Sequence, residues 1–362
     1  SSRSSRTAII AVLLLGVIIF GVVYYIWNTA TAIFQPPGAG AIRTIALTVS
    51  RGETTAQIGD DLQSKGLIRN SLAFRIWARI QGLDTRLQAG VYNHLNTSMT
   101  ISDITAQLLN AQPDEYLVQI IEGWRIEQIA NQLANSNLVN FKKSAFLTYT
   151  KHPDQFPDFN KYPILKSIPH GSGMEGLLFP STYKVDVNAD ARTVVNQLLT
   201  TFQNSVSQKN LVAQAQAHHL SEYQMVIMAS LLQREVRHLK DAPGVSSVFW
   251  NRIYKQTGND TGGFLGSDPT VQYARDTLKP PVKYWGPLND IGRNIAPNSL
   301  WNTYTNQGLP PTPICSPGLV MLEAAANPAN TDNFYFLNTD NGNTYYARTN
   351  AQFEQLKNQY LH

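Results

Sequence analysis

The sequence predicts an α+β protein built from an N-terminal transmembrane helix, a small βααβ module and a larger α+β domain. Three features of the chain indicate this: an uncharged apolar run near the N-terminus, a strand–turn–helix pattern that occurs twice, and one long apolar helix pattern in the second half. The predicted organisation is a cytoplasmic N-terminus at 1–7, a transmembrane helix at 8–27, a linker at 28–40, the small module at 41–112 and the larger domain at 113–362.

The composition is that of a globular chain with enough residues for a sizeable core. Of its 362 residues, 43% are hydrophobic and 15% are charged. The net charge of +4 is small and no run of Lys and Arg occurs, so nucleic-acid binding is not expected. The single cysteine, Cys315, excludes an intrachain disulfide, and no Cys/His cluster occurs, so no metal site is predicted.

The apolar run at 8–27 has the length that a helix needs to cross a bilayer, about 20 residues. Arg3 and Arg6 precede it, and the interfacial aromatic residues Tyr24 and Trp27 close it. Because positive residues stay on the cytoplasmic side, the long C-terminal part is expected in a periplasm or outside the cell. The alternative is a cleaved signal peptide.

The strand–turn–helix pattern first appears at 42–67 and returns 71 residues later, with Gly52 and Gly123 at the corresponding turns. In the first copy, a further helix at 71–81 and a strand at 89–93 would complete a βααβ unit. That order is the shape of a LysM-like module, which is a glycan-binding fold. A duplication that serves packing alone is the alternative.

The long helix pattern at 221–240 carries an acid in its apolar stripe. Glu235 shares a helix face with Leu231, Leu232 and Leu239. A carboxyl against apolar surface loses hydration of its charged form, so its pKa is expected to rise toward neutral pH, where it can donate a proton. The alternative is that Glu235 lies at the margin of the apolar stripe and pairs with Arg234 or His238.

Three further segments follow this helix. Residues 244–254 predict a second helix, and a Gly-rich turn then leads to a short helix that Ser267 or Asp268 is suited to cap. Residues 302–318 are too rich in Pro for a central strand or helix, which indicates a functional surface loop.

Serine and metal catalysis are not supported by the motifs of this chain. It has no G-x-S-x-G elbow and no H-E-x-x-H motif. What remains is one acid on a buried face among Asn, Ser, Thr, Tyr and Trp side chains. Amides, hydroxyls and aromatic rings are the groups that hold sugars, so a carbohydrate substrate is favoured.

Several motifs, taken in order, resemble the YceG-like (MltG) family of endolytic murein transglycosylases. The motifs are EGWR from Glu122, EGLLFPSTY from Glu175, ASLLQREV from Ala229, VFWNRI from Val248, SDPTVQY from Ser267, and NTY from Asn302 with the following GLPPTPI and SPG. In that family the segment A-S-[I/L]-[I/V]-E-K-E ends on the catalytic acid. The resemblance places this role on Glu235, whereas Gln233 replaces the first family glutamate. The candidate substrate-binding residues are Glu175, Gln233, Asn251, Ser267, Asp268, Tyr273, Asn302, Thr303 and Tyr304.

The resemblance implies a lyase that cuts the bond from N-acetylmuramic acid to N-acetylglucosamine in nascent peptidoglycan strands, leaves 1,6-anhydro ends and ends strand elongation. It implies no metal or organic cofactor, peptidoglycan synthases as partners, and a single-pass inner-membrane protein with a periplasmic C-terminal domain. Two alternatives stay open. One is a muramidase-type hydrolase with Glu175 or Asp268 as second carboxylate. The other is a non-catalytic wall-binding or scaffold protein in which Glu235 is a salt-bridged surface residue.

Overall fold

The computed structural model describes residues 20–21, 32–38, 41–50, 52–109, 115–255, 257–288, 294–339 and 342–361. The chain divides into two compact units, Ser1–Glu115 and Tyr116–His362. Both contain helices and short strands, so the α+β class is confirmed.

The first unit contains β1, α1, α2, β2 and α3. Their bounds are Leu47–Val49, Thr55–Ser64, Ser71–Ile80, Gly90–Tyr92 and Ile101–Leu108. Strands β1 and β2 pair antiparallel, with Thr48 opposite Val91. Helix α1 begins after a capping box between Thr54 and Gln57, which satisfies backbone N–H groups of its first turn. The predicted βααβ order is therefore present, with helix and strand bounds within a few residues of those expected.

Strand β3 lies in the second unit except for its first residue, Glu115, and helix α12 is the last element of that unit. Its helices α4 to α12 are Ile126–Ala134, Lys143–Lys151, Ala191–Gln208, Leu211–Ala217, Glu222–Glu235, Ala242–Tyr254, Asp268–Leu278, Leu319–Ala326 and Asn350–Tyr360. Its strands β3 to β6 are Glu115–Gln119, Thr182–Asp186, Tyr335–Asn338 and Thr344–Ala347. Strand β3 pairs with β4, and β5 pairs antiparallel with β6. The repeated strand–turn–helix pattern is confirmed by β3 and α4, and the turn glycines Gly52 and Gly123 both adopt a positive φ, +83° and +79°.

Helix α8 lies at the centre of this unit. Its residues from Met225 to Leu232 are all buried, so this part of the helix is enclosed on every side. A capping box between Ser221 and Gln224 fixes its start. The sequence predicted that only one stripe of α8 is buried, whereas the structure buries its central residues around the whole circumference of the helix.

Helix α8 ends at Glu235, whereas the sequence pattern predicted it to continue to residue 240. Val236 adopts an extended conformation and Leu239 is 57% exposed on a short 3₁₀ turn. Leu239 matched the helical period in the sequence although its side chain does not reach the core. The acid is thus the last residue of a buried helix rather than a residue in its middle.

The prediction of a single-pass inner-membrane protein with a periplasmic C-terminal domain is corrected by the structure. In the part of the chain that is described, no helix is both long enough and apolar enough to cross a membrane. The 18-residue helix α6 has the length, but it carries polar residues such as Asn196 and Gln197 between its buried apolar ones. The predicted span at 8–27 lies outside the described residues, apart from Phe20 and Gly21.

Candidate active site

The carboxyl of Glu235 lies at the C-terminal end of α8 and is held by one hydroxyl. Its Oε1 accepts a hydrogen bond of 2.6 Å from Ser267 Oγ. Burial raises the pKa of Glu235 to about 6, and the Ser267 hydrogen bond offsets part of that rise. A carboxyl with this pKa is protonated in part of the molecules near neutral pH and can act as an acid and then as a base.

Ser267 is itself fixed by a buried cluster of hydroxyls. It occupies the N-cap position of α10, yet its side chain makes no capping bond to that helix because its Oγ donates to Glu235. Its backbone N–H donates to Thr303 Oγ1 at 3.0 Å, and Thr303 shares a 2.9 Å hydroxyl contact with Thr270. The predicted capping role of Ser267 is thus wrong for its side chain, which instead orients the acid.

The charges of three side chains act on the same carboxyl: that of Asp268 raises its pKa, and those of Arg252 and Arg234 lower it. Asp268 is exposed, accepts a 2.8 Å hydrogen bond from Tyr304 Oη, and its charge raises the pKa of Glu235. Arg252 on α9 lowers that pKa. Arg252 donates from Nε to Phe334 O at 2.7 Å and from Nη1 to Leu265 O.

Sequence reasoning did not select Arg252 as a site residue, although it stands in the VFWNRI motif beside Asn251. It also borders a polar cavity of about 470 Å³, with the Gly-rich turn and Gln307 on the other walls. A second missed residue is Asn338 on β5, whose Nδ2 donates to the backbone carbonyl of Glu235 at 3.0 Å. No sequence pattern indicated Asn338 as a site residue, because its contact joins two residues that are far apart in the chain.

Five candidate residues, Gln233 among them, make their contacts away from the Glu235 carboxyl. Asn251 is buried and donates to Thr331 O and Asn333 O, both at 2.9 Å, so it anchors a loop. Asn302 is buried and donates to Ile295 O at 3.1 Å. The other two, Glu175 and Tyr273, belong to a network around Arg125.

That network is centred on the guanidinium of Arg125, which is only 2% exposed. It lies 4.2 Å from the ring centroid of Tyr273 and 4.8 Å from that of Tyr284, and its Nη2 donates to Thr277 Oγ1 at 2.8 Å. Glu175 lies nearby and accepts a 3.2 Å hydrogen bond from Ile126 N, the first residue of α4. Burial raises the pKa of Glu175 to about 8, and the charge of Arg125 opposes that rise.

Gln233 bridges two loops rather than joining the Glu235 carboxyl. Its Oε1 accepts from Gly318 N at 2.8 Å, and its Nε2 donates to Glu122 Oε2 at 3.4 Å. The amide suits this place because it offers one acceptor and one donor. A glutamate here would set a second negative charge against Glu122.

The described residues contain no group of three or more His, Cys, Asp or Glu side chains placed to hold a metal ion. The structure brings together Glu235, Ser267, Asp268, Thr303 and Tyr304 from the predicted set. These groups can donate and accept protons and bind hydroxyls or amides of a ligand.

Removing the Ser267 hydroxyl should shift the pH dependence of any reaction in which Glu235 is the acid. The hydrogen bond favours the charged carboxylate, so Ser267→Ala is expected to raise the pKa of Glu235 further above about 6. The high-pH limb of kcat/KM should then move upward by roughly half to one pH unit. Ser246→Ala, which removes a buried hydroxyl that has no hydrogen-bond partner among the described residues, is the matched control and should leave the limb in place. An unmoved limb in Ser267→Ala would contradict the assignment.

Glu175 should make stability fall as pH rises. In the unfolded chain this carboxyl ionises near its ordinary pKa of 4.5, whereas in the folded protein it holds its proton to about pH 8. The unfolded state therefore binds fewer protons in that window, and the free energy of unfolding decreases between about pH 5 and 8. Glu175→Gln keeps the acceptor for Ile126 N but cannot ionise. Its stability relative to the unmodified protein should rise from pH 5 to 8 by on the order of a few kcal/mol in urea denaturation.

The control for this comparison is Glu354→Gln, which removes an exposed carboxylate that pairs with Lys357. Its stability difference from the unmodified protein should stay constant over the same pH range. A constant difference for Glu175→Gln as well would show that Glu175 is ionised in the folded protein.

The fold and the site define a mixed α+β protein with a single helix-terminal acid beside hydroxyl and tyrosine groups. The model of the YceG-like family matches residues 47–359, and the chain belongs to this family. The endolytic murein transglycosylase of Bacillus subtilis is 27% identical over 340 residues, which cover 91% of this chain and 88% of that protein. The protein of the same name from Streptococcus pneumoniae serotype 2 is 27% identical over 338 residues, which cover 88% of this chain and 59% of that protein. A crystal structure of a yceG-like protein from Listeria monocytogenes has a TM-score of 0.55 and 26% identity, and the match covers 88% of this chain and all of that one, 100%.

Proposed function

We propose that this protein is a peptidoglycan lytic transglycosylase that cleaves glycan strands internally, with Glu235 as its acid and base. The observation that carries the proposal is the carboxyl of Glu235, raised in pKa to about 6 and aimed by the 2.6 Å bond from Ser267. Family membership and relatives that are named endolytic murein transglycosylases support the reaction class.

One carboxyl is sufficient for this chemistry. Protonated Glu235 donates its proton to the oxygen that joins C1 of N-acetylmuramic acid to N-acetylglucosamine, and the C1–O bond breaks. The resulting carboxylate takes the proton from the C6 hydroxyl of the same muramyl sugar, whose oxygen bonds to C1. The product is a 1,6-anhydro ring, no water is consumed, and Glu235 is again protonated. A pKa near the working pH suits both halves of the cycle.

Hydrolysis would need a second carboxylate that activates water. Glu175 is a poor candidate, because burial holds its pKa at about 8 and its Oε1 is engaged by Ile126 N. Asp268 is exposed, but its Oδ1 is engaged by Tyr304 Oη. The contacts of both carboxyls therefore favour the transglycosylase over the hydrolase.

The alternative of a non-catalytic binding protein assumed that Glu235 pairs with Arg234 or His238. The Glu235 carboxyl instead accepts a hydrogen bond from the buried hydroxyl of Ser267, and its pKa is about 6 although the charge of Arg234 lowers it, so the carboxyl can exchange a proton near neutral pH. This arrangement favours the enzyme.

We further propose that residues 41–112 form a LysM-like glycan-binding module and residues 113–362 a catalytic domain. The order β1–α1–α2–β2 with antiparallel β1 and β2 supports this. Deletion of 41–112 should reduce retention of the chain on insoluble peptidoglycan. Equal retention of the deletion variant and the full chain would contradict the proposal. Peptidoglycan synthases are the proposed protein partners, and co-purification that retains none would count against them.

The test of the reaction is mass spectrometry of purified glycan strands after incubation with the protein. Anhydro-ended fragments, each lighter by one water than a hydrolytic product, are expected. Reducing ends would indicate a hydrolase, and undigested strands would indicate a binding role.

A further inference from the structure

Arg234, the residue before the proposed acid, is a cation whose guanidinium makes no hydrogen bond or ion pair with the described residues, although its charge lowers the pKa of Glu235. Its Nε is buried and has no hydrogen-bond partner, and within the described ranges no hydrogen bond or ion pair reaches its guanidinium. The group instead lies 4.3 Å from the ring centroid of Trp285. The side chain as a whole is only partly buried, so part of it faces solvent.

The surroundings of Arg234 are fixed. Trp285 is held by its backbone N–H, which donates to Asp276 Oδ2 at 2.9 Å, and the next residue, Gly286, accepts at 3.0 Å from both Gln272 and Arg275. On another side the guanidinium approaches the backbone at Gly123, where an added Cβ would lie only 3.2 Å from Nη1. The aromatic wall and this close backbone approach hold the cation in place before any ligand binds.

The acids nearest to Arg234 in the chain make their hydrogen bonds to other residues. Glu122 accepts from Gln233 Nε2 and packs against Gly318. Glu235 accepts from Ser267. Partly buried arginines are normally paired with carboxylates, because desolvating an unpaired charge is costly. An arginine that is preorganised and unpaired beside a proton donor therefore has the properties of an anion-binding residue.

We propose that Arg234 binds a carboxylate of the glycan strand, and this proposal rests on the transglycosylase function. Each muramyl sugar carries a lactyl ether whose carboxyl is either free or amide-linked to a stem peptide with carboxylates of its own. The planar guanidinium can take such a group through two parallel N–H···O bonds. Because Arg234 adjoins Glu235, the bound carboxylate belongs to a muramyl unit at or next to the cleaved bond. Arg234 thereby sets specificity for charged strands.

The test compares three substrates: strands with stem peptides, the same strands with their carboxylates amidated, and strands stripped of stems so that the lactyl carboxylate is free. Arg234→Met keeps an apolar contact over Trp285 and removes the charge. Arg234→Lys keeps the charge but removes the planar guanidinium that can donate two parallel hydrogen bonds. Arg234→Met is expected to raise KM by about 10- to 100-fold on carboxylate-bearing strands, with a much smaller change in kcat. The KM of Arg234→Lys should lie between that of the unmodified protein and that of Arg234→Met. Amidation alone should raise KM of the unmodified protein by a similar factor, which needs no variant.

A KM effect that appears on stemmed strands only identifies a stem carboxylate, and an effect that persists on stripped strands identifies the lactyl carboxylate. The proposal would be overturned if Arg234→Met raised KM as much on amidated strands as on carboxylate-bearing strands. It would also be overturned if amidating the carboxylates of stemmed and of stripped strands left KM of the unmodified protein unchanged. If the unmodified protein gave no anhydro ends on any of the three substrates, the proposed function itself would fail. The unmodified protein alone decides this, so the result is distinct from a failure of the Arg234 proposal.

Discussion

Replacing Glu235 by Gln should reduce formation of anhydro-ended products by about 10³-fold or more, since general acid–base catalysis typically contributes 10²–10⁴-fold and one group performs both transfers. The amide can still accept from Ser267 Oγ, so the fold and the end of α8 should be retained. The measurement is the single-turnover rate on purified strands, with the thermal unfolding midpoint as the check on folding.

Asp268→Asn is the control that separates the two reaction types. In the transglycosylase, Asp268 only influences the pKa of Glu235 and holds Tyr304, so its replacement should cost at most about tenfold in rate. A hydrolase that uses Asp268 to activate water would lose activity as severely as in Glu235→Gln. Substantial anhydro product from Glu235→Gln would show that another group donates the proton.

Arg125→Met should produce the largest loss of stability, about 3 kcal/mol in the free energy of unfolding. The change removes the hydrogen bonds to Thr277 Oγ1 and Tyr273 O and the cation over two tyrosine rings. It also removes the 3.4 Å ion pair between Arg125 Nε and Glu127 Oε2, so that Lys151 is the remaining ion-pair partner of Glu127. Because α10 carries Ser267 at its N-terminus, the hold on Glu235 should also loosen and kcat should fall. Urea denaturation followed by tryptophan fluorescence measures the first effect.

Arg192→Met is the matched control. Arg192 makes two 2.7 Å bonds to Asp158, but its side chain is 53% exposed, so solvent replaces much of what is lost. Its replacement should cost less than about 1 kcal/mol. Equal losses in the two variants would show that burial of Arg125 adds nothing to its contribution.

Local sequence patterns were sufficient for most of the elements. The strand–turn–helix pattern of β1 and α1, the turn glycines and the apolar periods of α8 and α9 each depend on residues within one turn or strand of each other. The apolar surroundings of the acid were also predictable, since the period that formed the buried helix included Glu235. Its role as a catalytic acid came from the family motif and stays a proposal.

The sequence by itself therefore determined an α+β protein with a βααβ unit and one acid at a buried helix. Only the tertiary structure decided that α8 stops at Glu235, that Ser267 turns its hydroxyl to the acid instead of its own helix, and that Asn251 and Asn302 anchor loops. It also decided that Arg125 is buried under two tyrosines while Arg234 is left without a polar partner among the described residues. The physical reason is range: periodicity and capping act between near neighbours, whereas burial, pKa and hydrogen-bond partners depend on residues that folding brings together from distant parts of the chain.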